Sequence, residues 1–204
     1  MIRAGSDSRG PVLASPTITV FDLEYTAWEC SMARRWLAPG EFKEVVQIGA
    51  VKLDADSFAS LDELDILVRP RINSALSPYF EKLTGITNQI VERQGTDFAA
   101  AYAAFLDFAG EGPIAAFGQD QRVLEDNIRL YGLAGARALP VFYDLRGWFA
   151  ALGIDPRGMH SCELAPALGM AFAGQAHNAL HDARAIVAAM AVMAARGARL
   201  RPAA

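Results

Sequence analysis

An α/β fold, a mixed five-stranded sheet flanked by helices, is what this sequence predicts. Three observations point to it. Strand-like apolar runs crowd the first third of the chain, helical periodicity dominates afterwards, and short strand signals recur between the helices. Strands in a meander followed by alternating strand–helix units give a sheet of mixed sense with helices on its faces.

The elements follow in order. Thr17–Glu24 reads as a buried strand, Glu44–Leu53 as a second, and Leu61–Val68 as a third that ends at Pro70. The segments around Pro39-Gly40 and from Asp54 to Ser60 are short connections, as in an antiparallel meander. Leu83-Thr84-Gly85-Ile86-Thr87 suits a helix end with Gly85 as its cap. Thr96 or Asp97 can cap a helix in which Phe98, Tyr102, Phe105 and Ala109 repeat at helical spacing until Gly110 and Gly112. Pro113–Phe117 is a short buried strand leading to Gly118. A helix with Val123, Leu124, Asn127, Ile128 and Tyr131 on one face then runs to Gly132. Val141–Tyr143 is the expected fifth strand. Short helices are expected over Leu145–Leu152 and Cys162–Gly169, and a last one from near Ala179 to before Gly197. The organisation is one domain over 17–196, with 1–16 as a flexible leader and 197–204 as a frayed tail.

Composition narrows the function classes. The chain has 204 residues, 52% of them hydrophobic, enough for one substantial core. No apolar run is long enough to span a bilayer, and the start, with Arg3 and Arg9 but no apolar segment, does not read as a signal peptide. Cys30 and Cys162 make neither a disulfide framework nor a zinc cluster. They fit idle thiols in a reducing cytoplasm, so a cytoplasmic protein without a membrane partner is expected. A net charge of −4 argues against a protein that coats duplex DNA by neutralising phosphates. It is compatible with an enzyme that grips a few nucleotides through bound metal ions.

The chemistry concentrates in acidic residues. Asp22 and Glu24 stand two apart at the end of the first strand, so they point to one face. Two carboxylates there repel unless a cation sits between them, and hard oxygen ligands favour Mg²⁺ or Mn²⁺. Far downstream, His177 and Asp182 precede and open the last helix, whose apolar stripe is Ala183, Ile186, Val187 and Met190. Five residues is about 140° around a helix, so the two share a site only if His177 lies on the loop before it. There the His can handle protons while the scaffold holds Asp182 for a metal. Two-metal phosphoryl hydrolysis uses these parts: cations about 4 Å apart, several carboxylates and a base. Each part alone has a bland reading. Asp22 and Glu24 could guard a strand edge, His177 could be a surface histidine, and Asp182 a helix-start acid. His181 is a competing base beside Asp182, and His160 has no sequence partner. Ser31-Met32-Ala33-Arg34-Arg35-Trp36 mixes bases with an aromatic. That mixture suits single-stranded nucleic acid, and equally a loop packed over the sheet.

Taken together, these motifs resemble the DEDDh 3′–5′ exonucleases, on the ribonuclease H-like fold, over about Thr17 to Ala195. Phe21-Asp22-Leu23-Glu24-Tyr25-Thr26-Ala27-Trp28-Glu29 looks like the first exonuclease motif. Its Thr-x-Trp-Glu is similar to the branch that trims histone mRNA and small RNAs. Leu83-Thr84-Gly85-Ile86-Thr87 looks like the segment that packs on the terminal nucleotide, and His177-Asn178-Ala179-Leu180-His181-Asp182-Ala183 fits the third motif. The second motif departs. The family's aspartate usually lies three residues after a strand-ending glycine. Counting from Gly118 lands on Gln121, with Asp120 one place early and Asp126 a distant fallback. Asp120 is favoured, because it keeps an acid at the strand–helix junction. The resemblance implies a metal-dependent 3′–5′ exonuclease. It would release nucleoside 5′-monophosphates from the 3′ ends of single-stranded RNA or DNA. Asp22, Glu24, Asp120 and Asp182 would hold two Mg²⁺ or Mn²⁺ ions, and His177 would be the base. Leu23, Tyr25, Leu83, Thr84 and Ile86 would line the terminal nucleotide site, narrowed by Tyr25 where a small residue is common. The alternatives are a binding module on the same fold that has lost catalysis, motivated by Gln121, and a metal phosphoesterase acting on small nucleotides.

Overall fold

The structure is a computed structural model and describes residues 15–171 and 176–200. Five strands form one sheet in the order β3-β2-β1-β4-β5. β1 (Thr17–Tyr25) lies at its centre, antiparallel to β2 (Val45–Asp54) and parallel to β4 (Ile114–Ala116). β3 (Ser60–Leu67) is the antiparallel edge beyond β2, and β5 (Phe142–Asp144) is the parallel edge beyond β4. The mixed five-stranded sheet expected from the sequence is therefore present.

Side-chain alternation along β1 assigns its two faces. Ile18 and Val20 pack into one apolar layer together with Val51 and Leu53 of β2 and with Ala183, Ile186 and Met190. Those last three lie on the long helix α8 (Ala179–Ala195), labelled here after seven shorter ones. Phe21 and Leu23 face the other layer, with Phe98, Ala101 and Phe105 of α4 (Phe98–Ala109) and Val123 and Leu124 of α5 (Asp120–Leu130). Asp22 and Glu24 thus continue the Ile18–Val20 row toward α8.

The remaining helices are short. α1 (Ser31–Arg34) is one turn within the β1–β2 connection, where the sequence suggested a loop. α2 (Pro78–Thr84) is capped at Ser77, whose hydroxyl accepts from Phe80 N, and it stops at Gly85 with φ 74°. α3 (Asn88–Gln94) went unread in the sequence, because seven residues give too few turns for a clear period. Asp97, rather than Thr96, caps α4 by accepting from Ala100 N at 3.0 Å. α6 (Leu145–Ala151) is capped by Asp144, and α7 (Leu164–Ala167) follows a 3₁₀ turn over Ser161–Glu163. The chain stays packed beyond 196. Leu200 is buried in the α8 layer and Trp148 Nε1 donates to Arg199 O at 3.0 Å, so the expected fraying does not include residues 197–200. The proposed leader lies almost wholly outside the described residues. No described helix is long and apolar enough to cross a membrane.

Two buried polar residues lock the β1–β2 connection to the body. Asn127 of α5 is fully buried; its Oδ1 accepts from Val45 N at 3.0 Å, and its Nδ2 donates to Lys43 O at 2.7 Å. Glu44, also fully buried, accepts from the backbone N–H groups of Arg71, Ile72 and Asn73 and from the Tyr131 hydroxyl. A buried charge with that many donors replaces its lost hydration shell.

Candidate active site

The site forms where the centre of the sheet meets the N-terminus of α8. Glycine and glutamine on β2 decide how that helix sits. Gly49 pairs with Asp22 across the ladder and Gln47 pairs with Glu24. A Cβ on Gly49 would lie 2.0 Å from Leu180 N and 2.2 Å from Ala179 C, so only glycine lets α8 rest directly on the strand. Gln47, buried, accepts from Ala179 N at 2.9 Å and donates to Asp65 at 2.7 Å. It thereby satisfies one of the first orphan N–H groups of α8. Asn178 caps the same helix, accepting from His181 N at 3.2 Å. Asp182 then falls in the first turn, directly over the Asp22–Glu24 row.

Asp182 is 3% exposed, and its Oδ1 is buried with no hydrogen-bond partner. The carboxylate accepts from the His177 backbone N–H and from the Ser161 hydroxyl, and Ser161 also bonds Asp22. His177 holds a left-handed backbone with φ 60°, an uncommon conformation for a non-glycine residue and one concentrated at functional sites. That turn aims its N–H at Asp182. Ligand atoms of Glu24, His177 and Asp182 all lie within 4.8 Å of one another. His160 stacks edge-on to the His177 ring, centroids 5.8 Å apart.

Asp120 begins α5, and its charge acts on the other acids: it is the largest of those acting on Asp22 and also acts on Glu24. Gly118, at φ 144°, makes the turn before it, with Asp120 Oδ2 3.7 Å from where a Cβ would stand. Gln121 instead donates from Nε2 to Glu125 at 2.8 Å along its own helix. Asp126, the fallback acid, is exposed and paired with Arg129.

Burial and crowding shape the site's electrostatics. Burial, then the charges of Asp120, Glu24 and Asp182, raise Asp22 well above the usual carboxylate range. Burial with Asp182 and Asp120 does the same to Glu24. Burial pushes Asp120 and Asp182 up to about 6 each. His177 is shifted downward, by burial first and then by His160. Unfolded carboxylates titrate near pH 4. Between there and about pH 6 the folded chain holds more protons than the unfolded one, so these groups stabilise the metal-free fold below that window and lose that effect as pH rises through it. In EDTA the melting temperature should therefore fall as pH rises from about 4 through about 6, and Mn²⁺ should raise it more at the higher pH. Thermal melts across pH check this; a flat profile in EDTA contradicts the crowding.

The donor set fits a hard divalent cation. It offers the carboxylates of Glu24 and Asp182 with the His177 imidazole, ligand atoms within 4.8 Å of one another, one buried oxygen lacking a partner, and two further acids, Asp22 and Asp120, whose charges act on the same centre. The residues read from sequence as the terminal-nucleotide site are spread more widely. Leu23 is buried against Phe21 and α5, and Ile86 is buried with Ala27, Phe80 and Val91. Thr84 is buried, donating to Phe80 O at 2.9 Å and accepting from Ile86 N at 3.0 Å. Leu83 and Tyr25 are partly exposed. Tyr25 meets the acids: burial, then Asp120, Asp22 and Glu24, raise its phenol. Arg34 is committed to Glu41, and Trp36 donates from Nε1 to Thr26 O at 2.9 Å. Ser161, Gln47 and Gly49 carried no sequence signal, because their roles exist only across the fold. Cys30 and Cys162 are free thiols, the first exposed.

Comparison with known proteins bears on the family and the fold. The model of the exonuclease family, RNase_T, matches residues 19–190. No curated protein sequence matches the chain. The nuclease domain of 3′hExo bound to rAMP, a DEDDh family member, is similar with TM-score 0.77 and 22% identity, over 92% of this chain and 96% of that one. A 3′-exonuclease in a structure describing 3′-end-specific recognition of the histone mRNA stem-loop gives 0.75 at 22%, over 91% and 84%. E. coli Exonuclease I in complex with a dA16 oligonucleotide gives 0.65 at 18%, over 89% of this chain but 41% of that one. At such identities the likeness is one of fold. The family match runs from within β1 through the remaining strands into the last helix: this chain belongs to the exonuclease family and is a hydrolase of that class.

Proposed function

We propose that the protein is a divalent-metal-dependent 3′–5′ exonuclease that removes nucleoside 5′-monophosphates from single-stranded ends, RNA in particular. The observation that carries this reading is the convergence of Asp22, Glu24, Asp120 and Asp182 with His177 at one end of the sheet, Asp182 Oδ1 being buried without a partner. The neighbour described with the histone mRNA stem-loop and the Thr26-x-Trp28-Glu29 sequence favour RNA.

Asp22, Glu24, Asp120 and Asp182 would hold two Mg²⁺ or Mn²⁺ ions, which polarise the phosphodiester and lower the pKa of water when bound. His177 accepts the proton of the attacking water. Its downward-shifted pKa keeps the imidazole neutral, and so able to accept, at neutral pH. Its backbone bond to Asp182 keeps the ring beside the acids while the side chain remains half-buried. Ser161 orients Asp22 and Asp182 from behind. Tyr25 and Leu83 offer surface to the terminal nucleotide.

A 5′-labelled single strand incubated with Mn²⁺ tests the reading. A ladder of products shortened from the 3′ end, abolished by EDTA, is expected; full activity in EDTA or internal cuts would defeat it. A length series that slows on longer strands would favour the small-nucleotide phosphoesterase instead. The second motif has its own test. Asp120→Asn should lower kcat by on the order of 100-fold or more. Gln121→Ala should stay within about threefold, since its amide serves Glu125. The reverse ranking would return the metal ligand to position 121.

A further inference from the structure

Two cations flank Asp120, and neither forms an ion pair with a described residue. Lys43 lies near the end of the β1–β2 connection. Its Nζ lies 4.3 Å from the Trp36 ring centroid and 5.3 Å from that of Tyr25, whose rings are themselves 5.4 Å apart. Arg146, in the first turn of α6, sits with its guanidinium carbon 5.2 Å from the Phe117 ring centroid. The same carbon and Asp120 Oδ2 lie 3.6 and 3.7 Å from one point, the Cβ position of Gly118. Both cations act on Asp120 from their separate elements.

Both are held in place by the fold rather than by a carboxylate. Asn127 anchors the Lys43 carbonyl at 2.7 Å, Thr26 Oγ1 donates to Phe42 O at 2.5 Å, and Trp36 is tied to Thr26 O. Asp144 caps α6 by accepting from Arg146 N at 2.9 Å, and its other oxygen accepts from Gln119 at 3.0 Å. An aromatic clamp costs a cation less solvation than a salt bridge does and leaves its charge uncancelled. Lys43 is half-buried, so that exposed charge is set by packing rather than by chance rotamers.

Charge accounting suggests what they are for. Four carboxylates balance two divalent ions, so a loaded centre needs no further positive charge. The chain as a whole carries −4, which repels a polyanion. Lys43 and Arg146 are then local positive charge left over at the rim. We propose that Lys43 and Arg146 form a phosphate clamp that grips the backbone of a single-stranded polynucleotide beside the scissile phosphodiester. Lys43 is presented by the Trp36–Tyr25 pair and Arg146 by Phe117. This inference rests on the exonuclease reading above and adds to it two substrate-binding residues that its motifs do not include.

The test is binding of a fluorescein-labelled single strand in Ca²⁺ over a salt series, with steady-state kinetics in Mn²⁺ alongside. Lys43→Gln and Arg146→Gln should each weaken binding about tenfold and flatten the slope of log K against log salt by about 0.7, the counterion share of one phosphate contact. Their cost should fall on KM, and Lys43→Arg should keep the wild-type slope. Mn²⁺ stoichiometry by calorimetry should be unchanged. Wild-type slope and KM in both Gln variants, with tighter Mn²⁺ uptake, would mean that the cations only screen the carboxylates, and would overturn the clamp alone. Wild-type protein that neither binds nor shortens a single strand would overturn the exonuclease reading, and the clamp with it.

Discussion

Asp182→Asn is expected to cut turnover by on the order of 1000-fold while leaving the fold intact. The side chain is the same size, and Asn can still accept the bonds that Asp182 takes from the His177 N–H and the Ser161 hydroxyl. What it lacks is the charge at a buried oxygen that has no protein partner. Removing one of four crowded carboxylates also relieves repulsion with Glu24 and Asp22, so the metal-free variant should melt no lower than wild type. Calorimetry should show weaker Mn²⁺ uptake. Single-turnover rates on a labelled strand, with thermal melts in EDTA, check both halves. Activity within a few fold of wild type would remove Asp182 from the chemistry.

Gly49→Ala should be the most damaging small change in the core, at about 3 kcal/mol of stability. The added methyl would lie 2.0 to 2.4 Å from Leu180 N, Ala179 C and Leu180 Cα. All three are backbone atoms, so no rotamer change relieves the clash and α8 itself must lift from β2. That movement breaks the 2.9 Å bond from Ala179 N to Gln47 and carries Asp182 away from Asp22 and Glu24. A displacement of about 1 Å at reacting groups can cost on the order of 100-fold in rate, so activity should fall even in the folded fraction. Urea titration and kcat measured at a temperature where the variant is folded separate the two effects. A wild-type midpoint would contradict the close approach.

Gly49 was not readable in advance, but other features of the site were. Asp22 and Glu24 share a face because strand side chains alternate, and that period is visible in eight residues of sequence. His177 off the helix and Asp182 within it follow from their spacing, five residues or about 140° of helix. The strand ending near Phe117 and a helix following Gly118 follow from Gly118 and the apolar pattern on either side. The sequence left open which of Asp120 and Gln121 faces the other acids, since a shift of one residue at a helix start changes the direction of the side chain by about 100°. The turn at Gly118 turns Asp120 toward Asp22, and Gln121 pairs along the helix with Glu125.

The sequence by itself determined the mixed sheet and the order of its main elements, and it singled out the candidate site residues. Those depend on local physics: side-chain period, caps and turns acting over a few residues. Only the tertiary structure decided that Gly49 and Gln47 seat α8, with Gln47 and Ala179 132 residues apart in the chain. It also decided that Ser161 ties Asp22 to Asp182, and that Lys43 rests on Trp36 and Tyr25 beside Asp120. A small residue in a strand, a serine in a loop or a lysine before a strand has no periodic signature. Their meaning comes from what the packed chain brings against them.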